Sequence, residues 1–485
     1  MAADRQSVYE INHYTLHMSD QPKSFRRSFG LLDATMIVAG SMIGSGIFLV
    51  SADITRNVGS AGWLVLIWII TGLLTLTAAL SYGELSGMFP QAGGQYVYLR
   101  EAFNRLTGFL FGWSFFTVIQ AGSIAAVGVA FAKFSAYLFP VLSEKNIIAD
   151  LSFIKISAAQ ITSILLIVLL TFINTLGVKE GKLIQTGFTL AKIAALLALI
   201  LFGCFAANKG VWDTNWQTGF DLRKMKEHTD TLAPYVGLAA LGAIAGSMVG
   251  SLFSSDSWNN VTFIAGEIKK PERNIGRSLF LGTLIVTVIY VATNLVYLGV
   301  LPLKEIAFAE NERVGVAAAV KIFGTRGTYI IAALLMVSTF GCNNGLILSG
   351  ARVCYTMAKD GVFFKQLATL NKNAVPGKAL WIQCIWASVL CLSGKYGQLL
   401  DYVIFVVLIF YILTIAGIFR LRRTRPELPR PYKAFGYPVL PLLYIVSAAI
   451  ICFALLVYKP MYTWPGLGIV LLGIPVYYFA WRNKS

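Results

Sequence analysis

Gly40-Ser41-Met42-Ile43-Gly44-Ser45-Gly46-Ile47-Phe48 interrupts an apolar run that is otherwise long enough to cross a membrane. Glycine and serine weaken a helix at that depth. Each backbone polar group left open to hydrocarbon costs several kcal/mol, so a broken helix persists only where it is buried in protein or lines a cavity. A second interruption of the same kind lies at Ser251-Leu252-Phe253-Ser254-Ser255-Asp256-Ser257-Trp258. Two interrupted membrane helices at corresponding places in two halves of a chain are the sequence signature of a carrier's substrate site.

The rest of the chain fits that setting. Its 485 residues are 56% hydrophobic and 13% charged, whereas a soluble domain carries about 25% charged residues. A formal net charge of +17 invites a nucleic-acid reading, but the cations sit between apolar runs. A span needs about 20 apolar residues. That length predicts an all-α polytopic protein with twelve spans, at 31–57, 62–86, 106–138, 157–177, 183–206, 233–267, 277–300, 328–352, 380–394, 400–420, 438–457 and 463–482. With both termini inside the cell membrane, Lys and Arg are in excess on the inner side, as the positive-inside rule requires. Arg420, Arg422, Arg423, Arg425, Arg430 and Lys433 are expected to mark that side and to touch anionic lipid. Residues 1–30 read as a cytoplasmic tail with His13, His17, Arg26 and Arg27 and no cleavable leader.

The first and sixth spans are long and interrupted. They open two five-helix units of opposite orientation, 31–206 and 233–420, with the site expected at the midplane between them. Residues 438–482 add two helices outside the repeat. The long loops 207–232 and 302–327 each have room for a short surface helix.

The chemistry of the breaks follows from their backbone. Ser45 and Gly46 open the outer half of the first span, whose N–H groups suit a carboxylate. Gly44 and Gly46 let a ligand approach without a Cβ in the way. Carbonyls near Met42, Ile43, Phe253 and Ser254 are expected to be free to accept from an ammonium. Together these groups fit an α-amino acid zwitterion. Close helix packing through small residues is the alternative use of the glycines. Ionisable residues within spans are costly and functional by default. Asp33, Glu84, Lys133 and Asp401 lie near span ends, where capping or anchoring explains them. Lys192 is near mid-span, and Asp256 lies inside the second break. Two uses fit Asp256: an N-cap for the inner half of span six, or a counter-charge for a cationic substrate side chain. Phe253 is either a lid or packing, and Trp258 reads as packing.

Six cysteines, Cys204, Cys342, Cys354, Cys384, Cys391 and Cys452, form no CxxC pair. No zinc site, cofactor site or disulfide framework is expected. His228 reads as a solvated loop residue, and the sequon at Asn260-Val261-Thr262 lies within a span. Without a nucleophile–base set, the chain is not expected to be an enzyme. A channel or a membrane receptor is a further class, separated by whether flux saturates.

GSMIGSGIF, the stretch Ser251–Arg277 (SLFSSDSWNNVTFIAGEIKKPERNIGR), Ser338–Arg352 (STFGCNNGLILSGAR), Gly93–Glu101 (GGQYVYLRE), Thr293–Tyr297 (TNLVY) and Arg425–Pro431 (RPELPRP) resemble the L-type amino acid transporter family of the amino acid–polyamine–organocation superfamily. The likeness runs from about residue 28 to the C-terminus. It implies a LeuT-type 5+5 inverted repeat and sodium-independent amino acid transport by alternating access, often by exchange. Proton symport is the alternative. It places the substrate carboxylate on Ser45 and Gly46 and the amino group on carbonyls near Ile43, Phe253 and Ser254. It makes Phe253 a gate, Lys192 a replacement for a sodium site, and Asn259 a neighbour of the substrate side chain. Where relatives carry Ala-Tyr after the gate aromatic, this chain has Ser254-Ser255, which implies a roomier or more polar pocket. Asp256 is shared with some members that accept cationic amino acids. Mainly neutral substrates are therefore expected, with some acceptance of lysine or arginine. The loop 139–156 lacks the cysteine by which animal relatives bind a heavy chain, so a stand-alone, prokaryote-type carrier is expected.

Overall fold

The computed structural model describes residues 25–150, 155–227, 234–393 and 396–480. His13, His17, His228 and the Asp401 side chain lie outside the described residues. The first span is two helices, α1 (Leu31–Met42) and α2 (Gly46–Val58), bent by 41° at the break. The Asp33 carboxylate accepts the Gly30 N–H at 2.8 Å and so caps α1, the local use expected of it. The helix stops at Ile43, whose ψ of 95° is extended. α2 ends at Gly59 with φ +68°, a left-handed cap that glycine adopts without a Cβ penalty.

The next elements are α3 (Ala61–Met88), α4 (Gln95–Ala102), α5 (Arg105–Ser114), a π-helical turn at Phe115–Ile119, and α6 (Gln120–Leu138). A short antiparallel hairpin, β1 (Ile147–Asp150) and β2 (Lys155–Ser157), occupies the following loop. The apolar-length reading had no means of finding it. Then come α7 (Ala158–Leu176), α8 (Val178–Ala206) and the surface helix α9 (Lys209–Trp216). The sixth span is α10 (Leu238–Ser254), a turn through Ser257 at φ +65°, the single turn α11 (Asn260–Phe263) and a 3-10 turn at Ala265–Glu267. The remainder is α12 (Pro271–Val300), α13 (Leu303–Ala307), α14 (Val314–Lys359, kinked at Gly324), α15 (Gly377–Ser393), α16 (Tyr396–Thr424), α17 (Val439–Tyr458) and α18 (Pro460–Ala480).

Among the described residues, eight helices are long and apolar enough to cross a membrane, and the bent α1–α2 pair makes a ninth. The sixth, ninth and twelfth expected spans are shorter apolar helices, Leu238–Ser254, Gly377–Leu392 and Thr463–Phe479. Small residues set the packing. A Cβ at Gly276 of α12 would stand 3.6 Å from the Gly83 Cα of α3, so those two helices approach backbone to backbone.

Three arginines of the basic stretch around residue 420 have protein partners. Arg422 makes a two-point contact with Glu84, Nε to Oε1 at 2.9 Å and Nη2 to Oε2 at 2.6 Å. Arg425 donates to Glu101 at 2.9 Å. Arg430 donates to the carbonyls of Leu421, Arg425, Pro426 and Leu428. These three arginines bind protein groups. Glu84 is buried and also takes the Ala434 N–H at 2.7 Å, so it is more than a span-end anchor. Another pair escaped the sequence reading: Glu267 and Arg352, both 0% exposed, meet at 2.8 Å. On the same face, Arg100 joins Glu101 to Asp360. Burial alone would raise the Glu101 carboxyl; hydrogen bonds from Arg425 and Arg100 outweigh it and hold the group below the usual range.

Candidate functional site

The first break is built around an ammonium. Lys192, on α8 and 1% exposed, donates from Nζ to the Gly40 carbonyl and to the Ile43 carbonyl at 2.6 Å. Those carbonyls lose their intrahelical donors where α1 ends. A buried amine at this depth is tolerated because it is satisfied by hydrogen bonds. Neighbouring carbonyls are served too. Ser41 accepts from Cys342 Sγ at 3.0 Å, Met42 from the Tyr290 hydroxyl at 3.0 Å, and Gly44 from Ser338 Oγ at 3.4 Å.

The acceptors expected for a substrate ammonium are therefore not bare. The Ile43 carbonyl already holds the Lys192 amine, and the Met42 and Ser254 carbonyls share the one proton of the Tyr290 hydroxyl, 3.0 Å from each. The Phe253 carbonyl accepts the Asp256 N–H at 3.1 Å. An ammonium would reach them only through second lone pairs or by displacing these donors. Tyr290 thus tethers both breaks to α12.

The N–H side is different. Ser45 is the N-cap of α2 and caps it with no side-chain bond. The Phe48 N–H turns back to the Ser45 carbonyl at 3.1 Å, and the N–H groups before it receive no side-chain bond from that cap. Gly46 is the point where the breaks touch: a Cβ there would run into Ser254 Oγ and stand 3.1 Å from the Ser254 Cα. A Cβ at Gly44 would meet Cys342 Sγ at 3.0 Å. Both glycines therefore carry the packing role, whatever else they do.

In the second break, Asp256 is 6% exposed and its Oδ1 accepts the Tyr411 hydroxyl at 2.6 Å. It is not the N-cap of the inner half-helix. That place falls to Asn259, with no side-chain capping bond, because the left-handed turn at Ser257 moves the helix start downstream. Asn259 Nδ2 donates to Gln95 Oε1 at 3.0 Å, and Gln95 Nε2 to Thr414 Oγ1 at 3.0 Å. Trp258 packs edge-on against Tyr82 at 4.8 Å, the packing expected of it. Phe253 is half-buried at the end of α10 and packs on the core.

Asp256, Asn259, Gln95, Gln120, Tyr411 and the π-turn residue Phe115 are among the residues that line one cavity. Its volume is about 10 Å³, room for roughly one water. The lining draws on the second break and not on the first, because Ser254 fills the space against Gly46. An amino acid needs that space to open. The π turn, the Gln95–Asn259 pair, Tyr290 and Tyr411 were not found from sequence. A tyrosine in an apolar run carries no mark that separates a tether from packing. Ser338 and Cys342 lie in a stretch that carries the family resemblance, yet nothing local in it encodes their contact with the first break.

One prediction arises here. Phe253→Ala should slow exchange more than it weakens equilibrium binding, because a lid acts on the conformational step. Rates of counterflow set beside binding of the same labelled amino acid decide it; unchanged turnover would assign Phe253 to packing.

Sequence comparison agrees with this geometry. The family described as amino acid permease matches residues 29–477. The large neutral amino acids transporter small subunit 2 of Homo sapiens is 30% identical over 465 residues, 95% of this chain and 82% of that protein. The Asc-type amino acid transporter 1 of Homo sapiens is 29% identical over 464 residues, 95% and 84% of the two chains. The serine/threonine exchanger SteT of Bacillus subtilis is 28% identical over 471 residues, 96% and 100% of the two.

Proposed function

The chain belongs to the amino acid permease family, and from that premise we propose that it exchanges amino acids across the cell membrane without sodium. It is a transporter, not an enzyme. The observation that carries the sodium-independent reading is Lys192: its ammonium serves the very carbonyls that a cation at the first break would use. Substrate binds between the two breaks, its carboxylate at the N–H groups of Ser45 and Gly46 and its amino group towards the second lone pairs of the Ile43, Phe253 and Ser254 carbonyls. Asn259 and Asp256 face the substrate side chain, and Phe253 closes over it. The inverted repeat of 31–206 and 233–420 lets the breaks be reached from either side in turn, with both termini in the cytoplasm.

The relatives support the substrate class: their names describe carriers of neutral amino acids, Asc-type amino acids and serine or threonine. Mainly neutral substrates are proposed, with some acceptance of lysine or arginine through Asp256. The absence of cysteine from 139–156 supports action without a disulfide-linked partner.

Counterflow tests the proposal. Proteoliposomes loaded with one amino acid are challenged with each of the twenty in sodium-free buffer. Saturable uptake that needs internal substrate supports exchange; accumulation driven by a pH gradient with no internal substrate replaces it with proton symport. Within the same panel, Asp256→Asn should lower lysine and arginine counterflow about tenfold or more, the loss of a buried charge partner, and neutral substrates far less. Equal losses across the panel would make the Asp256–Tyr411 contact architectural.

A further inference from the structure

A groove of about 620 Å³ opens between the ends of α3 and α12 and the 431–435 loop, on the face that carries the basic stretch. Arg273, Arg277 and Lys433 line it and are exposed. Among the described residues, no carboxylate lies within ion-pair distance of any of the three. This sets them apart from Arg422, Arg425 and Arg430, which are spent on protein partners. One acidic residue, Glu272, shares the lining, so the groove stays net positive. Arg273 and Arg277 are one turn apart in the first turns of α12, whose N-terminal dipole adds to their field.

The groove continues into an apolar track. Phe280, Leu281, Leu284, Ile285 and Val288 are each at least 36% exposed. They follow Arg277 up the same side of α12 at helical spacing. Phe435, 69% exposed, stands across from them. The floor is formed by the Tyr432 ring laid against Gly83, where a Cβ would stand 2.8 Å from the ring. Cations at the base and an apolar stripe above match a phospholipid: phosphate below, acyl chain along the helix.

We propose that this groove binds the headgroup of an anionic phospholipid, with Arg273 and Arg277 on the phosphate, Lys433 on the headgroup rim, and an acyl chain on the α12 stripe. The geometry is that of a juxtamembrane basic site, where each cation adds to the attraction of an anionic leaflet. This inference is independent of the substrate site.

The test is native mass spectrometry and thermal stability of the full chain, titrated with dioleoyl phosphatidylglycerol or with dioleoyl phosphatidylcholine. Wild type should retain phosphatidylglycerol adducts and gain melting temperature with that lipid in preference to the zwitterionic one. Arg273→Gln/Arg277→Gln should weaken phosphatidylglycerol binding about thirtyfold, from two lost surface cations. Lys365→Gln/Lys372→Gln removes the same charge at two other exposed sites and should leave binding within about twofold. Equal loss in both pairs would overturn the site in favour of diffuse charge. Equal binding of both lipids by wild type would overturn it too, as expected if an acidic protein segment fills the groove instead. Should the arginine pair fail to fold, Lys433→Gln with Arg277→Gln gives the same comparison.

Discussion

Lys192→Ala should cut exchange at least about a hundredfold and lower the thermal stability of the carrier. The Lys192 ammonium is bonded to Gly40 and Ile43 inside the protein. A hydrogen bond to a charged group is worth about 1.5–3 kcal/mol, and a buried acceptor left bare costs about 1–3 kcal/mol. Two such bonds exceed the ~2.7 kcal/mol of a hundredfold change. Lys192→Met keeps most of the volume and removes the donor. It should fail nearly as badly, since packing alone does not satisfy the carbonyls. Counterflow rates and melting curves of both variants decide it: near-normal turnover in Lys192→Met would mean that Lys192 is there to fill space.

Gly46→Val should abolish uptake. Its first carbon already meets Ser254 Oγ and Cβ, and overpacking of this kind costs about 1–3 kcal/mol before the extra methyls of valine are counted. Two causes are mixed in that loss: the breaks no longer fit together, and the N–H groups of α2 are screened from a carboxylate. A smaller pair separates them. Gly46→Ala should lose most binding, and Ser254→Gly in the same chain removes the colliding atoms. Recovery of affinity in the double variant assigns Gly46 to packing of the two breaks. A fold that recovers, by melting temperature, while binding does not assigns it to the carboxylate. Full affinity in the Gly46→Val carrier would remove it from the site altogether.

What could be read from the chain follows from what local sequence encodes. The breaks were legible because Gly44, Ser45, Gly46, Ser254 and Ser255 stand in runs that lipid would otherwise keep apolar. Lys192 was legible because a mid-span charge has few innocent uses. The Asp33 cap was legible because donor and acceptor lie three residues apart. Partnerships across the chain were not. Asp256 meets Tyr411 and Glu84 meets Arg422 only after distant helices pack. For the same reason the run at Arg420–Lys433 looked uniform in sequence. In space it divides into Arg422, Arg425 and Arg430, held by protein, and Lys433, which faces the open groove. The carbonyls near Met42 and Ile43 looked free because a break shows which backbone bonds are lost, not which side chains replace them.

The claim at the centre is that a protein ammonium takes the place of a coupling ion beside a site formed by two broken helices. Equilibrium binding of a labelled neutral amino acid to the purified carrier tests it most directly, measured in choline buffer and again in sodium buffer. The account predicts saturable binding with the same Kd in both, lost in Lys192→Ala in either salt. Saturable binding only when sodium is present would contradict it.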